Sequence, residues 1–150
     1  MAAKKSTTKT ATRSSATQRA ARLAVREDES PWTAKELKEV RAELDAEIAR
    51  LTAEIDTAET GLTEFLKEPV DGAGDDQADA GAKSFEREHE LSLVAGARTG
   101  LEQNQHALER LENGTYGICE SCGNPIGKLR LQAYPRATLC MTCKSRQERR

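Results

Sequence analysis

The sequence predicts a mostly α-helical protein: an antiparallel coiled-coil hairpin with a small four-cysteine module on its C-terminal side and a disordered N-terminal tail. Three observations predict it. The only four cysteines fall into two Cys-x-x-Cys pairs, Cys119/Cys122 and Cys140/Cys143, and a seven-residue apolar repeat runs through the middle of the chain. The 150 residues are 37% hydrophobic, 32% charged and only 3% aromatic. A large globular core is therefore excluded, and long exposed surfaces are expected.

Seventeen residues, Gly123 to Leu139, separate the two cysteine pairs. Two Cys-x-x-Cys knuckles at such a spacing can place four thiolates in a tetrahedron around one Zn²⁺. Gly123 and Asn124-Pro125 supply the turn chemistry that folds backbone N–H groups back toward the sulfurs. A pair of disulfides or a redox dithiol is the alternative, and the N-terminus carries no secretory signal to favour it. With sulfur at all four positions, no coordination site remains for water or substrate, so the expected ion is structural.

The formal net charge of -2 hides a partition. Residues 1–30 carry seven Lys/Arg and three acids, residues 31–113 carry nine and twenty, and residues 114–150 carry seven and two. An acidic middle between basic ends argues against non-specific nucleic-acid binding by the whole molecule, although either end could touch phosphate. No apolar run approaches the length of a membrane span.

In chain order, residues 1–30 read as a disordered basic tail, because they have almost no large apolar side chains to offset the entropy of ordering. Their composition also resembles an organellar transit peptide. At Ser30-Pro31-Trp32-Thr33 the character changes: Thr33 and Glu36 form a capping box, and Trp32 can staple onto Leu37. Leu37, Leu44, Leu51, Ala58 and Phe65 then recur every seven residues, with Ile48, Ile55 and Leu62 four after members of that series. Such a stripe is one strand of a coiled coil. Glu68-Pro69 should end the helix, and an acidic loop is expected over 69–81.

Helical composition resumes through Phe85, Leu91, Leu93, Val94, Ala97, Leu101, Leu108 and Leu111 and stops at Asn113-Gly114, where glycine is expected at a helix C-terminus. Gly96 and Gly100 should weaken its middle by ~1 kcal/mol each. Two amphipathic helices joined by a short linker most simply fold back on each other as a hairpin over 31–113. A self-associating parallel coiled coil is the alternative. Residues 114–150 make the cysteine module and a basic C-terminal helix. His89 and His106 fall on the second helix and are read as surface or seam residues, since four thiolates already complete a site. No catalytic arrangement is evident, and a non-enzyme is expected.

The segments Tyr116-Gly117-Ile118-Cys119-Glu120-Ser121-Cys122-Gly123 and Leu139-Cys140-Met141-Thr142-Cys143-Lys144 resemble the DksA/TraR family of bacterial transcription regulators. The resemblance is specific over 116–144 and looser over the hairpin. It implies a cytoplasmic, monomeric bacterial protein that binds RNA polymerase directly and inserts its coiled-coil tip into the secondary channel to modulate initiation. The family's tip pattern, Asp-x-x-Asp-x-Ala, maps onto Asp76, Asp79 and Gly81, with glycine where alanine is expected. The family's ppGpp contacts map onto Gly100, Gln103, Tyr134 and Lys144. Only Lys144 is basic, which implies weak or no ppGpp dependence.

Two other classes remain open from the residues. One is a zinc-ribbon DNA-binding protein that contacts phosphate through Lys128, Arg130, Arg136 and Lys144. The other is a coiled-coil adaptor.

Overall fold

The computed structural model describes residues 15–67 and 77–150. A short helix, α1, occupies 15–21 and is followed by α2 (Ala34–Lys67), α3 (Gln77–Asn113), α4 (Lys128–Ala133) and α5 (Met141–Glu148). Among the described residues the only β pairing is one isolated antiparallel bridge, Ile118 to Pro125. The long helices α2 and α3 make an antiparallel hairpin, as the two apolar stripes predict. No helix of the described residues is long and apolar enough to cross a membrane.

The start of α2 is set locally. The Thr33 backbone N–H donates to Glu36 Oε2 at 2.9 Å, and the Glu36 N–H donates to Thr33 Oγ1 at 3.2 Å. This reciprocal pair satisfies two helix-terminal donors, as the capping box requires. The other end of the hairpin's second arm is equally local: α3 stops at Asn113, before Gly114 at φ 80°.

The chain divides into two compact units. One combines the residues up to Asp45 with Asn104–Arg150, and the other is Ala46–Gln103. In the first, Val40 and Leu44 from α2 and Ala107 from α3 share a core with Trp32, Tyr116, Ile126 and Leu131, and Leu37 packs at its edge. Arg41 crosses to Glu112 at 2.6 Å. In the second, Leu51 and Ile55 pack with Ala97 and Leu101, and Arg98 pairs with Glu59. Gly96 lies exposed on α3, with open space where a Cβ would stand, whereas Gly100 is on its buried face.

Two boundaries differ from the sequence reading. Residues 15–30, expected within a disordered tail, are ordered: Ala20 is fully buried and Leu23 is buried beside it, both in the first unit's core. The composition argument weighed this segment alone, and its few apolar side chains find partners in the distant cysteine module. The acidic loop expected to reach residue 81 is shorter, because 77–81 already belong to α3. Ala78 and Ala80 are strong helix formers, and Asp79 in the first turn is favoured by the positive end of the helix dipole. Residues 1–14 of the expected tail and 68–76 of the expected loop, Asp76 included, lie outside the described residues.

Candidate metal centre

The first knuckle is a turn closed by the backbone. Gly123 N–H donates to the Cys119 carbonyl at 2.9 Å, and Cys119 N–H donates to the Asn124 carbonyl at 2.8 Å. Gly123 sits at φ 75°, a left-handed conformation that glycine adopts without a Cβ penalty. The second knuckle runs into α5: Cys140 is its N-cap, and Lys144 N–H donates back to the Cys140 carbonyl at 2.9 Å. Glu120 N–H to the Thr138 carbonyl, at 2.9 Å, holds the two knuckles together.

The four Sγ atoms all lie within 4.8 Å of one another. Cys122 and Cys140 Sγ are 3.8 Å apart. A Zn–S length of about 2.3 Å gives a tetrahedral edge of about 3.8 Å. The donors therefore fit one Zn²⁺, with Cys119, Cys122, Cys140 and Cys143 as its ligands. Cys119 and Cys143 are buried, Cys140 is intermediate and Cys122 is exposed.

The protein environment treats the sulfurs unequally. Burial pushes the Cys119 thiol up, but backbone N–H groups of Cys140, Cys122 and Ser121 outweigh it and bring it down to about 6. At Cys143 the Ser121 side chain acts downward, yet Cys140, burial, Cys122 and Cys119 together push the thiol up to about 11. One sulfur is thus prepared as a thiolate while its neighbour resists a second negative charge. A divalent cation removes that conflict.

Around the site, Arg110 at the end of α3 is buried and donates from Nη2 to the Thr115 carbonyl at 2.8 Å and to the Ile118 carbonyl. Its Nε lies 3.8 Å from Glu120, which also meets His106 at 2.5 Å. His106 is therefore a link between α3 and the first knuckle, outside the thiolate set. The Tyr116 hydroxyl donates to the Pro135 carbonyl at 2.8 Å. Burial, followed by Glu43, holds that phenol well above its ordinary range despite Arg110, so it remains a donor.

The N-terminal segment docks onto the same module. Lys128 N–H, at the start of α4, donates to both oxygens of Glu29 at 2.9 and 2.8 Å. Lys128 Nζ pairs with Glu36 at 2.8 Å, contacts Ser30 Oγ at 3.2 Å and the Pro31 carbonyl at 3.3 Å, and lies 5.4 Å from the Trp32 ring. Gly117, at φ 92°, makes this approach feasible: a Cβ there would meet the Ala24 carbonyl oxygen at 3.0 Å. Trp32 and Tyr116 complete the contact with ring centroids 6.1 Å apart.

In the DNA-binding alternative Lys128 is a possible phosphate contact; in the structure its ammonium pairs with Glu36. Its side chain is 9% exposed and already neutralised by Glu36, so it is part of the fold. Arg130 Nε donates to the Leu139 carbonyl at 3.1 Å, steadying the second knuckle. Arg136 donates to the Tyr134 hydroxyl at 2.7 Å and stacks on that ring, and Lys144 pairs with Glu148 at 3.4 Å. Asp79 and Gly81 are exposed in the first turns of α3. Sequence reasoning missed Glu29, Arg110 and the Trp32–Tyr116 contact, whose only trace was a tryptophan in a chain nearly free of aromatics.

The hydrogen bond from Lys128, followed by that from the Thr33 backbone, holds the Glu36 carboxyl below the usual carboxylate range. A depressed folded-state pKa contributes stability above the unfolded carboxylate's pKa, and that contribution is lost as pH falls through the folded value. Thermal unfolding of the zinc-loaded protein should therefore lose stability on acidification below the ordinary Glu range of about 4.3. In Glu36→Gln this component should be absent, and identical pH profiles for the two proteins would disprove it.

Comparison with known proteins agrees with this reading of the module. Residues 114–149 match the family model described as the prokaryotic dksA/traR C4-type zinc finger. The RNA polymerase-binding transcription factor DksA of Caulobacter vibrioides is 40% identical over 75 residues, which are 50% of this chain and 53% of that protein. The chain thus spans about half the length of this relative. An uncharacterized protein of Aquifex aeolicus is 34% identical over 112 residues, covering 75% of this chain and 74% of its own length. The solved structure of transcription factor DksA2 from Pseudomonas aeruginosa superposes with a TM-score of 0.62 at 32% identity, covering 77% of this chain and 84% of that one. With its helical hairpin, its four-thiolate centre and this extent of likeness, the chain belongs to the DksA/TraR family of zinc-finger proteins.

Proposed function

We propose that this protein is a bacterial, cytoplasmic transcription regulator that binds RNA polymerase directly and as a monomer. The turn end of its hairpin enters the polymerase's secondary channel and modulates initiation. The observation that carries this reading is the combination of the α2/α3 hairpin, in a fold similar to DksA2 over 77% of the chain, with four cysteines that match the C4-type zinc-finger family. Relatives named for binding RNA polymerase support the choice of partner. The protein does no covalent chemistry in this account. Asp76 and Asp79 act as carboxylates that reorganise cations and basic groups near the catalytic centre.

Pull-down with purified core polymerase in the absence of DNA tests the partner. Retention on core enzyme is the expected result. Failure of that retention, together with salt-dependent binding to bare duplex, would favour the zinc-ribbon DNA reading instead. The Lys128–Glu36 ion pair supports the polymerase reading over that alternative, which would draw on Lys128 for phosphate.

The acids and the affinity should separate. Asp76→Asn combined with Asp79→Asn removes charge while keeping side-chain size, so polymerase affinity should stay within a few-fold while the effect on open-complex lifetime is suppressed. Asp79 is exposed, and its replacement should leave folding nearly untouched. Loss of binding along with activity would make the acids an anchor. Added ppGpp should change the protein's effect on transcription in vitro by little, because Gly100, Gln103 and Tyr134 carry no charge and Lys144 is paired with Glu148. A several-fold synergy would overturn that expectation.

A further inference from the structure

Within the unit Ala46–Gln103, α2 and α3 leave an open groove of about 650 Å³ between them. Its lining combines small residues, Ala58, Gly61 and Ala97, with the larger apolar side chains of Leu62, Phe65 and Leu93. Phe65 and Leu93 remain 37% and 53% exposed, so the groove is open to solvent along its apolar walls. Every residue of α3 from 77 to 93 is exposed, although this stretch contains Phe85, Leu91 and Leu93. A helix of that length without a packed face is marginal by itself, and burial of an amphipathic face is what ordinarily sustains one.

The charge around the groove says what covers it. Glu54, Glu86 and Glu90 line it, against the single cation Arg87. Residues 46–103 carry fourteen acidic and five basic side chains. A second copy of this unit would bring the same negative field against itself, so self-association through the groove is opposed. Residues 1–14 of the chain carry cations but no leucine, isoleucine, valine or phenylalanine, and so lack the side chains that fill an apolar groove.

We propose that the groove between α2 and α3 in residues 46–103 docks an amphipathic α-helix of a partner protein, with apolar side chains seated on Leu62, Phe65 and Leu93 and Lys or Arg residues facing Glu54, Glu86 and Glu90. This is helix-in-groove recognition, with apolar anchors supplying affinity and the acidic rim supplying selectivity. It rests on the groove's lining and charge and not on the polymerase reading.

Gly61 provides the test. It lies in the groove, its added Cβ meets nothing within 4 Å, and it is in the middle of a helix, so Gly61→Leu fills the groove while raising helix propensity. The full-length, zinc-loaded protein is titrated into a fluorescently labelled synthetic helix of leucine and lysine, and into a leucine and glutamate helix of the same length. The Leu/Lys helix should bind and the Leu/Glu helix should not. Gly61→Leu, with helicity by circular dichroism equal to or above that of the parent, should weaken binding by roughly tenfold or more. Glu86→Gln with Glu90→Gln should weaken it further as salt is lowered, relative to the parent. No binding of the Leu/Lys helix, or equal binding by Gly61→Leu, would overturn the proposal. So would a dimer in sedimentation that Gly61→Leu abolishes, which would assign the groove to a second copy.

Discussion

Cys122→Ser is expected to lower zinc affinity by orders of magnitude and to loosen the unit that contains the knuckles, while much of the helicity of α2 and α3 survives. The free energy of binding structural zinc in small modules is on the order of 10–16 kcal/mol, and it is folding free energy, because the site is absent from the unfolded chain. Cys122 is the exposed ligand, so its replacement removes a sulfur without opening a core cavity. The damage then spreads through Cys119 and Cys143, which belong to the same apolar cluster as Leu44, Trp32 and Tyr116. Chelator competition reads the affinity, and amide exchange over 114–150 reads the loosening. A metal-free variant with an unchanged C-terminal NMR spectrum would show that the module folds without its ion. Exchange should also accelerate over residues 15–30, because that segment has docked on the module through Glu29 and Lys128.

Lys128→Met is expected to destabilise the protein by roughly 2–3 kcal/mol, below the range of about 3–5 kcal/mol for removing one partner of a fully buried ion pair. Lys128 is nearly buried, whereas Glu36 is 26% exposed and can recover some hydration, which moderates the loss. The methionine keeps the apolar stem against Trp32 and removes the charge that satisfies Glu36, Ser30 and Pro31. Denaturant unfolding of Lys128→Met, Glu36→Gln and the double variant forms a cycle in which the two single losses should not add. Additive losses would mean that the pair contributes nothing. If Lys128 instead served as a phosphate contact, its replacement would leave stability intact and flatten the salt dependence of duplex binding.

These two results bear on different layers of what could be read in advance. The zinc ligands, the capping box at Thr33 and Glu36, the two apolar stripes and the stop at Gly114 each lie within a few residues of one another, or repeat at a fixed period. Their geometry follows from backbone turns and helical pitch, and the structure places the thiols, the capping box and the helix stop as those rules require; the stripes pack at Leu44, Leu51, Ile55, Ala97 and Ala107, whereas Phe65, Phe85, Leu91 and Leu93 stay exposed. The start of α3 at Gln77 was missed because the run of aspartates and glycines before it resembles a loop, while Ala78 and Ala80 propagate the helix backward.

The amino-acid sequence alone determined the metal and the two long helices, since spacing, capping and periodicity are local properties, and its cysteine segments carried the family resemblance. Only the tertiary structure decided that residues 15–30 are part of the fold and that Lys128 is a buried partner. Glu29 and Lys128 are 99 residues apart, and no periodicity or propensity links them. That bond, donated by the Lys128 backbone N–H, exists because Trp32, Tyr116 and Leu131 share a core and Gly117 lets the Ala24 carbonyl approach; the Lys128 ammonium enclosed there finds its own carboxylate in Glu36 and so remains charged.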